Sequence, residues 1–248
     1  MISIMMAKLI SCSLQLYSKV QFLCHLIILK STELFSILES VDSTNNYAMA
    51  KIHEGMAKHG MAWFAHEQLA GKGQFGKNWE SKAGQNITLS VAITPAVVFS
   101  QNQFYFNAVI ALACNEFFNK YAGDETFIKW PNDIYWRDRK AGGILIESVI
   151  RSSETGDSSW EWSIIGIGIN INQTAFPIYL PNPVSLKQKK KKSFDTVSLA
   201  KEICDELNQK FSELLTDGFE KIYASYLTHL YKINSTVKLK KGNRVFEA

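Results

Sequence analysis

From Phe127 to Ile171 the chain offers three strand-forming runs in succession, Phe127–Trp130, Gly143–Ile150 and Trp160–Ile171, with no helical stretch between them. The last two flank Ser152–Ser159, a polar segment suited to a hairpin loop. Strands that follow one another without a crossover helix pair antiparallel, which argues against strict βαβ alternation. Earlier, Ala62–His66 reads as a strand. Ile87, Leu89, Val91 and Ile93 alternate with Thr88, Ser90 and Ala92, the pattern of a strand with one buried face. Phe106, Val109, Ile110, Ala113 and Phe117 have helical spacing, as do Leu199, Ile203, Leu207, Phe211 and Leu214, and then Phe219, Ile222, Tyr223, Tyr226 and Leu230. Asp42-Ser43-Thr44 ahead of Asn45–Glu54 supplies a helix start, where free N–H groups can meet a ligand. The expected fold is therefore α+β, a mainly antiparallel mixed sheet flanked by helices. Pro177 to Pro183 reads as an irregular surface loop. Val237–Lys240 and Arg244–Phe246, around Lys241-Gly242-Asn243, read as strand, turn and strand. Such a pair is marginal alone.

At 248 residues with 46% hydrophobic content, the chain can build one main core with a small appendage. The net charge of +4 is inflated by the run Lys189–Lys192, read as a solvated loop. Without that run the balance is near neutral, so composition gives no argument for nucleic acid. Cys12, Cys24, Cys114 and Cys204 form no C-x-x-C pair and read as free thiols in a reducing cytosol. No histidines stand at metal-ligand spacing, so no metal site of the protein's own is expected. Val20–Leu29 is apolar but too short for a bilayer, which needs roughly 20 residues. It also lacks the basic start and small-residue cleavage site of a signal peptide. Cys12, Leu14 and Leu16 alternate with polar residues and permit a short strand. Residues 1–31 are set apart as an extension of unknown role.

Two motifs carry chemistry. Gly71-Lys72-Gly73-Gln74-Phe75-Gly76-Lys77-Asn78-Trp79 is a glycine-rich cationic loop in which the backbone can turn tightly and approach a ligand. A helix does not follow it, which excludes the dinucleotide-binding reading, and there is no G-K-[ST]. Taken alone, an ordinary surface loop fits as well. Lys129-Trp130-Pro131-Asn132-Asp133 places a lysine at a strand end, where Pro131 forces a turn. Asn132 and Asp133 could make an Asx turn, and Lys140 could be a solvated charge. Gly142-Gly143 and Gly166-Ile167-Gly168 put glycines inside strands, which marks a close approach or a β-bulge.

Read together, Asp42-Ser43-Thr44-Asn45, Glu67-Gln68-x-Ala70-Gly71-Lys72-Gly73-Gln74-x-Gly76-x-x-Trp79, Lys129-Trp130-Pro131-Asn132-Asp133, Lys140-Ala141-Gly142-Gly143-Ile144-Leu145 and Gly166-Ile167-Gly168-Ile169-Asn170 resemble the biotin protein ligases. Order and spacing both agree, over about residues 36 to 231. The resemblance implies a catalytic domain of the class II aminoacyl-tRNA synthetase-like type over residues 32–231, and the start of a C-terminal SH3-like β-barrel, cut short, over residues 232–248. It implies the enzyme-only form, since the family's DNA-binding helix-turn-helix has no room here. The implied partners are biotin, ATP with Mg²⁺, and a biotin carboxyl carrier protein, with no nucleic acid and no membrane, in the cytoplasm. A homodimer through the sheet edge is compatible, although no residue commits to it. Biotinoyl-5′-AMP would form first, and a carrier lysine would then take the biotinoyl group.

The same resemblance assigns Ser43, Thr44, Asn45, Gln68, Lys72, Gly73, Gln74, Lys129, Gly142 and Gly143 to biotin. It assigns Gly71, Lys72, Gly73, Gln74, Gly76, Trp79, Asn132, Lys140 and Asn170 to ATP and the adenylate. Lys72 and Lys129 would be catalytic, drawing carboxylate and α-phosphate together. Mg²⁺ would be held mostly by phosphate oxygens. The rival readings are a lipoate or octanoate ligase or transferase, and a non-catalytic biotin-binding regulator. Two departures stand out. The family usually has Arg where Lys72 stands, and often a polar or basic residue at Phe75. Lysine keeps the charge but loses the planar fork. The Lys72→Arg variant is therefore expected to release biotinoyl-AMP more slowly than the parent. Equal release rates in a filter-trapping assay would refute this.

Overall fold

The computed structural model describes residues 34–95, 103–152, 158–241 and 244–247. Seven strands, β1 (Phe35–Val41), β2 (Ala62–Gln68), β3 (Ile87–Ile93), β4 (Thr126–Lys129), β5 (Asp133–Trp136), β6 (Arg139–Ser152) and β7 (Ser158–Ile169), form one sheet in the order β1-β2-β3-β7-β6-β5-β4. Only β1 and β2 run parallel. The helices are α1 (Thr44–His53), α2 (Gln103–Ala122), α3 (Leu186–Lys190), α4 (Thr196–Asp217) and α5 (Phe219–Thr228). β8 (Lys238–Lys241) and β9 (Arg244–Glu247) make a separate antiparallel pair. Residues 1–31, with the alternation at Cys12–Leu16, fall outside the described residues.

The two faces of the sheet do different work. On one, Leu89, Val91, Ile144, Ile165 and Ile167 are buried with Val109, Ile110 and Phe117 of α2 and with Ile203 and Leu207 of α4. This is the main core, and α2 packs along both α4 and α5. Lys210 of α4 is nearly buried between Glu116 and Glu213, each 2.6 Å away. Burial works against its charge, but those two hydrogen bonds outweigh it and the ammonium pKa is raised. Burial also pushes the Cys204 thiol up to about 12 and Cys114 upward, so neither is a thiolate at neutral pH. On the other face a small cluster of Ala48, Trp63, Ala92 and Ile164 seats α1, and the rest of that face is left for the site.

Several elements differ from the expectation. β3 is buried on both faces, because α1 and the site cover Thr88 and Ser90 while α2 and α4 cover Leu89 and Val91. β1 was not anticipated: as an outer strand it is mostly exposed and carries no clean alternation. Asp133 begins β5 and is no mere turn residue, since Asp133 pairs with both Lys129 and Gly143. The lysine run is not wholly a loop. Lys189 and Lys190 close α3, with Lys191 left-handed at its end and Lys189 Nζ 4.5 Å from the Trp136 ring centre. Ser43 does stand at the N-cap of α1, but its side chain makes no capping bond. No register shift falls at Gly166–Gly168, so the β-bulge explanation fails there.

Phe64 is fully buried on β2, stacked near Phe35 and edge-on to His66. Phe64→Ala should cost about 3–5 kcal/mol, the range for an emptied aromatic site. Urea unfolding at constant m-value measures it; a loss under about 1 kcal/mol would show that the surroundings collapse into the space.

Candidate active site

Directly paired residues of an antiparallel sheet point to the same side. This places Asp133, Gly143, Gly168 and Thr88 in one row across β5, β6, β7 and β3. The next row is Leu145, Gly166 and Ser90, and the third is Glu147, Ile164 and Ala92. Glycines fill the centre of the first two rows, so the face sinks into a trough. The trough is the floor of a cavity of about 440 Å³.

Two side chains from outside the sheet sit on those glycines. A Cβ on Gly166 would lie 2.3 Å from Asn45 Oδ1, and one on Gly168 would lie 2.4 Å from Trp79 Cε2. No residue but glycine leaves room for either. Asn45 comes from the first turn of α1, and Trp79 from the end of the glycine loop.

The α1 end of the cavity is polar and hydrogen-bonded. The Thr44 N–H donates to Gln68 Oε1 at 2.8 Å, and Thr44 Oγ1 lies 3.0 Å from the same atom. Ser90 Oγ is 2.7 Å from Thr44 Oγ1 and 2.6 Å from Asn45 Oδ1. Asn45 Nδ2 donates to Glu147 Oε2 at 2.7 Å. Next door, a hydrogen bond from Asn46 is the main cause that holds the Asp42 carboxyl below its usual range.

Lysines line the same cavity. Lys140 Nζ is 2.7 Å from Asp133 Oδ1 and 5.9 Å from the Trp79 ring centre. It is also 3.5 Å from where a Cβ on Gly143 would stand, so it lies on the trough floor. Lys129 Nζ donates to Tyr135 Oη at 3.1 Å from the more open side. Lys72 Nζ reaches Glu147 Oε1 at 3.5 Å. The glycine loop is a small hairpin, closed by Gly73 N–H to Lys77 O at 2.7 Å and Trp79 N–H to Gly71 O at 2.8 Å. Phe75 stands at its tip with φ 55°, 93% exposed.

Ser43, Thr44, Asn45, Gln68, Lys72, Gly73, Gln74, Trp79, Lys129, Asn132, Lys140, Gly143 and Asn170 all line this one cavity. The structure thus brings together both proposed lysines and both ends of the motif set. Three residues of the set stand elsewhere. Gly142 is one pleat from Gly143 and faces away, packed 2.8 Å (as a Cβ) from Gly168 O. Gly71 is pressed against Trp79 O beside a second, smaller cavity. Gly76 lies at the outer tip of the loop with open space around it. Two others are tied to backbone: Asn132 Nδ2 donates to Ile144 O at 2.5 Å, and Asn170 Nδ2 donates to Val184 O at 3.1 Å. Ser90, Tyr135, Leu145 and Glu147 were not singled out from sequence. Ser90 had a signal, a polar residue on the otherwise apolar β3. Glu147 had none beyond following the glycine pair on one strand.

The cavity thus offers hydrogen-bonding groups and ammonium groups together on one face of a mixed sheet. The sequence pattern of the biotin/lipoate A/B protein ligase family matches residues 37–170, and the chain belongs to that family. It is 36% identical over 140 residues to the bifunctional ligase/repressor BirA of Escherichia coli K12, covering 55% of this chain and 40% of that one. With BirA of Bacillus subtilis it shares 26% over 213 residues, covering 85% and 64%. The chain thus spans less than two thirds of the length of these relatives. In fold it is similar to the biotin protein ligase of Aquifex aeolicus in complex with biotin and ATP, with a TM-score of 0.70 at 23% identity over 87% of this chain and 85% of that one. The Leishmania major ligase in complex with biotinyl-5-AMP gives a TM-score of 0.66 at 24% identity, with 86% of each chain covered.

The two glycine sockets should be separable. Gly166→Ala, which displaces Asn45, is expected to weaken biotin binding more than ATP binding. Gly168→Ala, which displaces Trp79, should do the reverse. Overpacking of this kind costs about 1–3 kcal/mol, or roughly five- to 150-fold in affinity if it falls on one ligand. Calorimetric titration of each ligand into each variant checks it; identical losses for both ligands in both variants would refute the division.

Proposed function

We propose that this chain activates biotin with ATP and passes it to a lysine of a biotin carboxyl carrier protein. The observation that carries this reading is the meeting of two unlike sets of groups in one cavity: the hydroxyl and amide groups of Thr44, Asn45 and Gln68, backed by Ser90, and the ammonium groups of Lys72, Lys129 and Lys140. A fused-ring urea brings two N–H donors and a carbonyl acceptor to such a wall. The dithiolane of lipoate brings none, and would make no hydrogen bond to that wall. This favours biotin over lipoate or octanoate. The lysine cluster favours an enzyme over a non-catalytic regulator, since mere retention of the vitamin has no use for three ammonium groups around one site.

In the first step a carboxylate oxygen of biotin attacks the α-phosphorus of ATP, and pyrophosphate leaves. The charge that builds on the phosphoryl oxygens would be met by Lys129 and Lys72. Lys140, on the trough floor, shares this work. In the second step the amine of the carrier lysine attacks the acyl carbon, loses a proton, and AMP leaves. Among the described residues no group of three His, Cys, Asp or Glu side chains is placed to hold a metal ion. Mg²⁺ would travel on the phosphate oxygens, as this cation does when it keeps most of its water. No helix of the described residues is long and apolar enough to cross a membrane; we place the reaction in the cytoplasm, where carboxylase subunits would supply the acceptor lysine.

The test is exchange of labelled pyrophosphate into ATP, which should require biotin and ignore lipoate. Lys129→Ala is expected to lose about 10²–10³ in exchange rate, and Lys140→Ala at least as much, the scale for one preorganised charge-stabilising donor. A loss under tenfold removes that lysine from the mechanism. Exchange driven equally by lipoate would overturn the choice of substrate.

A further inference from the structure

Glu147 has no part in the chemistry above, yet a hydrogen-bond chain along the cavity wall ends on it. It stands on β6, two rows along the same face from Gly143, and is paired with Ile164. Its Oε2 accepts from Asn45 Nδ2 at 2.7 Å, and its Oε1 is the atom 3.5 Å from Lys72 Nζ. A carboxylate accepts and does not donate. Asn45 must therefore turn its NH₂ group to Glu147 and its Oδ1 to Ser90.

The consequence is a shortage of protons. Ser90 Oγ meets Asn45 Oδ1 at 2.6 Å and Thr44 Oγ1 at 2.7 Å, and Thr44 Oγ1 meets Gln68 Oε1 at 3.0 Å. Gln68 presents its oxygen there, because it already accepts the Thr44 N–H at 2.8 Å. Three oxygen–oxygen contacts thus share two hydroxyl protons, since both ends of the chain are acceptors. If Asn45 were turned around, its NH₂ group would supply the missing proton and the chain would be complete in itself. Glu147 forbids that turn. The ligand-free wall is left one proton short, and Thr44 and Asn45, which face the cavity, hold the unfilled lone pair.

We propose that Glu147 is a positioning residue that sets the polarity of this chain, and so makes the wall a receptor for a ureido N–H of the ligand. It touches no reacting atom and acts through Asn45. The proposal rests on the biotin reading and deepens it: discrimination at this wall depends on a carboxylate that lies outside the cavity lining.

The experiment compares biotin with two analogues, each having one ureido N–H replaced by CH₂, on wild type and on Glu147→Gln. A glutamine can donate to Asn45 Oδ1, so Asn45 can turn and fill the shortage from within. Wild type should prefer biotin over at least one analogue by about tenfold or more in Kd, the value of one well-made hydrogen bond or slightly above. In Glu147→Gln that preference should shrink at least fivefold. Glu147→Ala should follow Glu147→Gln, and Glu147→Asp, which keeps an acceptor, should retain most of the preference. A preference left unchanged in Glu147→Gln, or a loss shared equally by biotin and analogues, overturns the proposal and leaves the ligase reading standing. Wild type that binds no biotin sinks the ligase reading instead.

Discussion

Two absent side chains on one strand organise the site. Gly166 and Gly168 sit two apart on β7, so both face the same side, and each receives a group from a different part of the chain. Glycine inside a strand is unfavourable by roughly 0.5–1 kcal/mol relative to alanine. Here that loss is offset by what the space admits. Asn45 fixes the start of α1 over the sheet, and the Trp79 indole fixes the end of the glycine loop. The hydrogen-bonding wall and the cationic wall are therefore held at a set spacing by one rigid strand. β7 is itself immobilised between β3 and β6, with Ile165, Ile167 and Ile169 buried on its far side.

This division of faces explains why one short strand segment can do both jobs. The apolar residues at odd positions anchor β7 to α2 and α4, while the even positions are free to be small. The same alternation runs through β3, where Leu89 and Val91 face the core and Thr88 and Ser90 face the site. The glycine loop has no such anchor. Its hairpin bonds are its own, and beyond Trp79 it touches the sheet chiefly through the half-exposed Lys72. A loop with few outside contacts opens at little cost, whereas the wall it covers does not.

The sequence spoke clearly where periodicity was local. The alternation of β3, the long amphipathic α2 and α4, and the hairpin of β6 with β7 were all legible, while a shared site for Lys72, Lys129 and Thr44 was implied only by the family resemblance. It was silent where partners are distant. β1 is a largely exposed outer strand and gives no inward pattern. β5 is only four residues long and begins at Asp133, inside what reads as a turn. Asn45 and Glu147 are 102 positions apart, and Ser90 lies 45 from Asn45. No spacing rule joins such residues. Gly142 and Gly143 show a finer limit: sequence gives the pair but not the pleat, and the pairing of Gly143 with Asp133 and Gly168 is what turns it to the cavity.

Three lysines of the site already have a companion: Glu147 for Lys72, Tyr135 for Lys129 and Asp133 for Lys140. None of these contacts is deep. The Lys72 side chain is 42% exposed and that of Lys140 31%, so the pairs are of the half-solvated kind that contributes little to stability. The ammonium groups can thus leave these partners without breaking anything the fold needs. What the companions supply is direction. All three companions stand on β5 or β6, so each ammonium is held against a strand of the sheet. Glu147 accepts from Asn45 as well as pairing with Lys72, so one carboxylate joins a group of the hydrogen-bonding wall to a lysine of the same cavity.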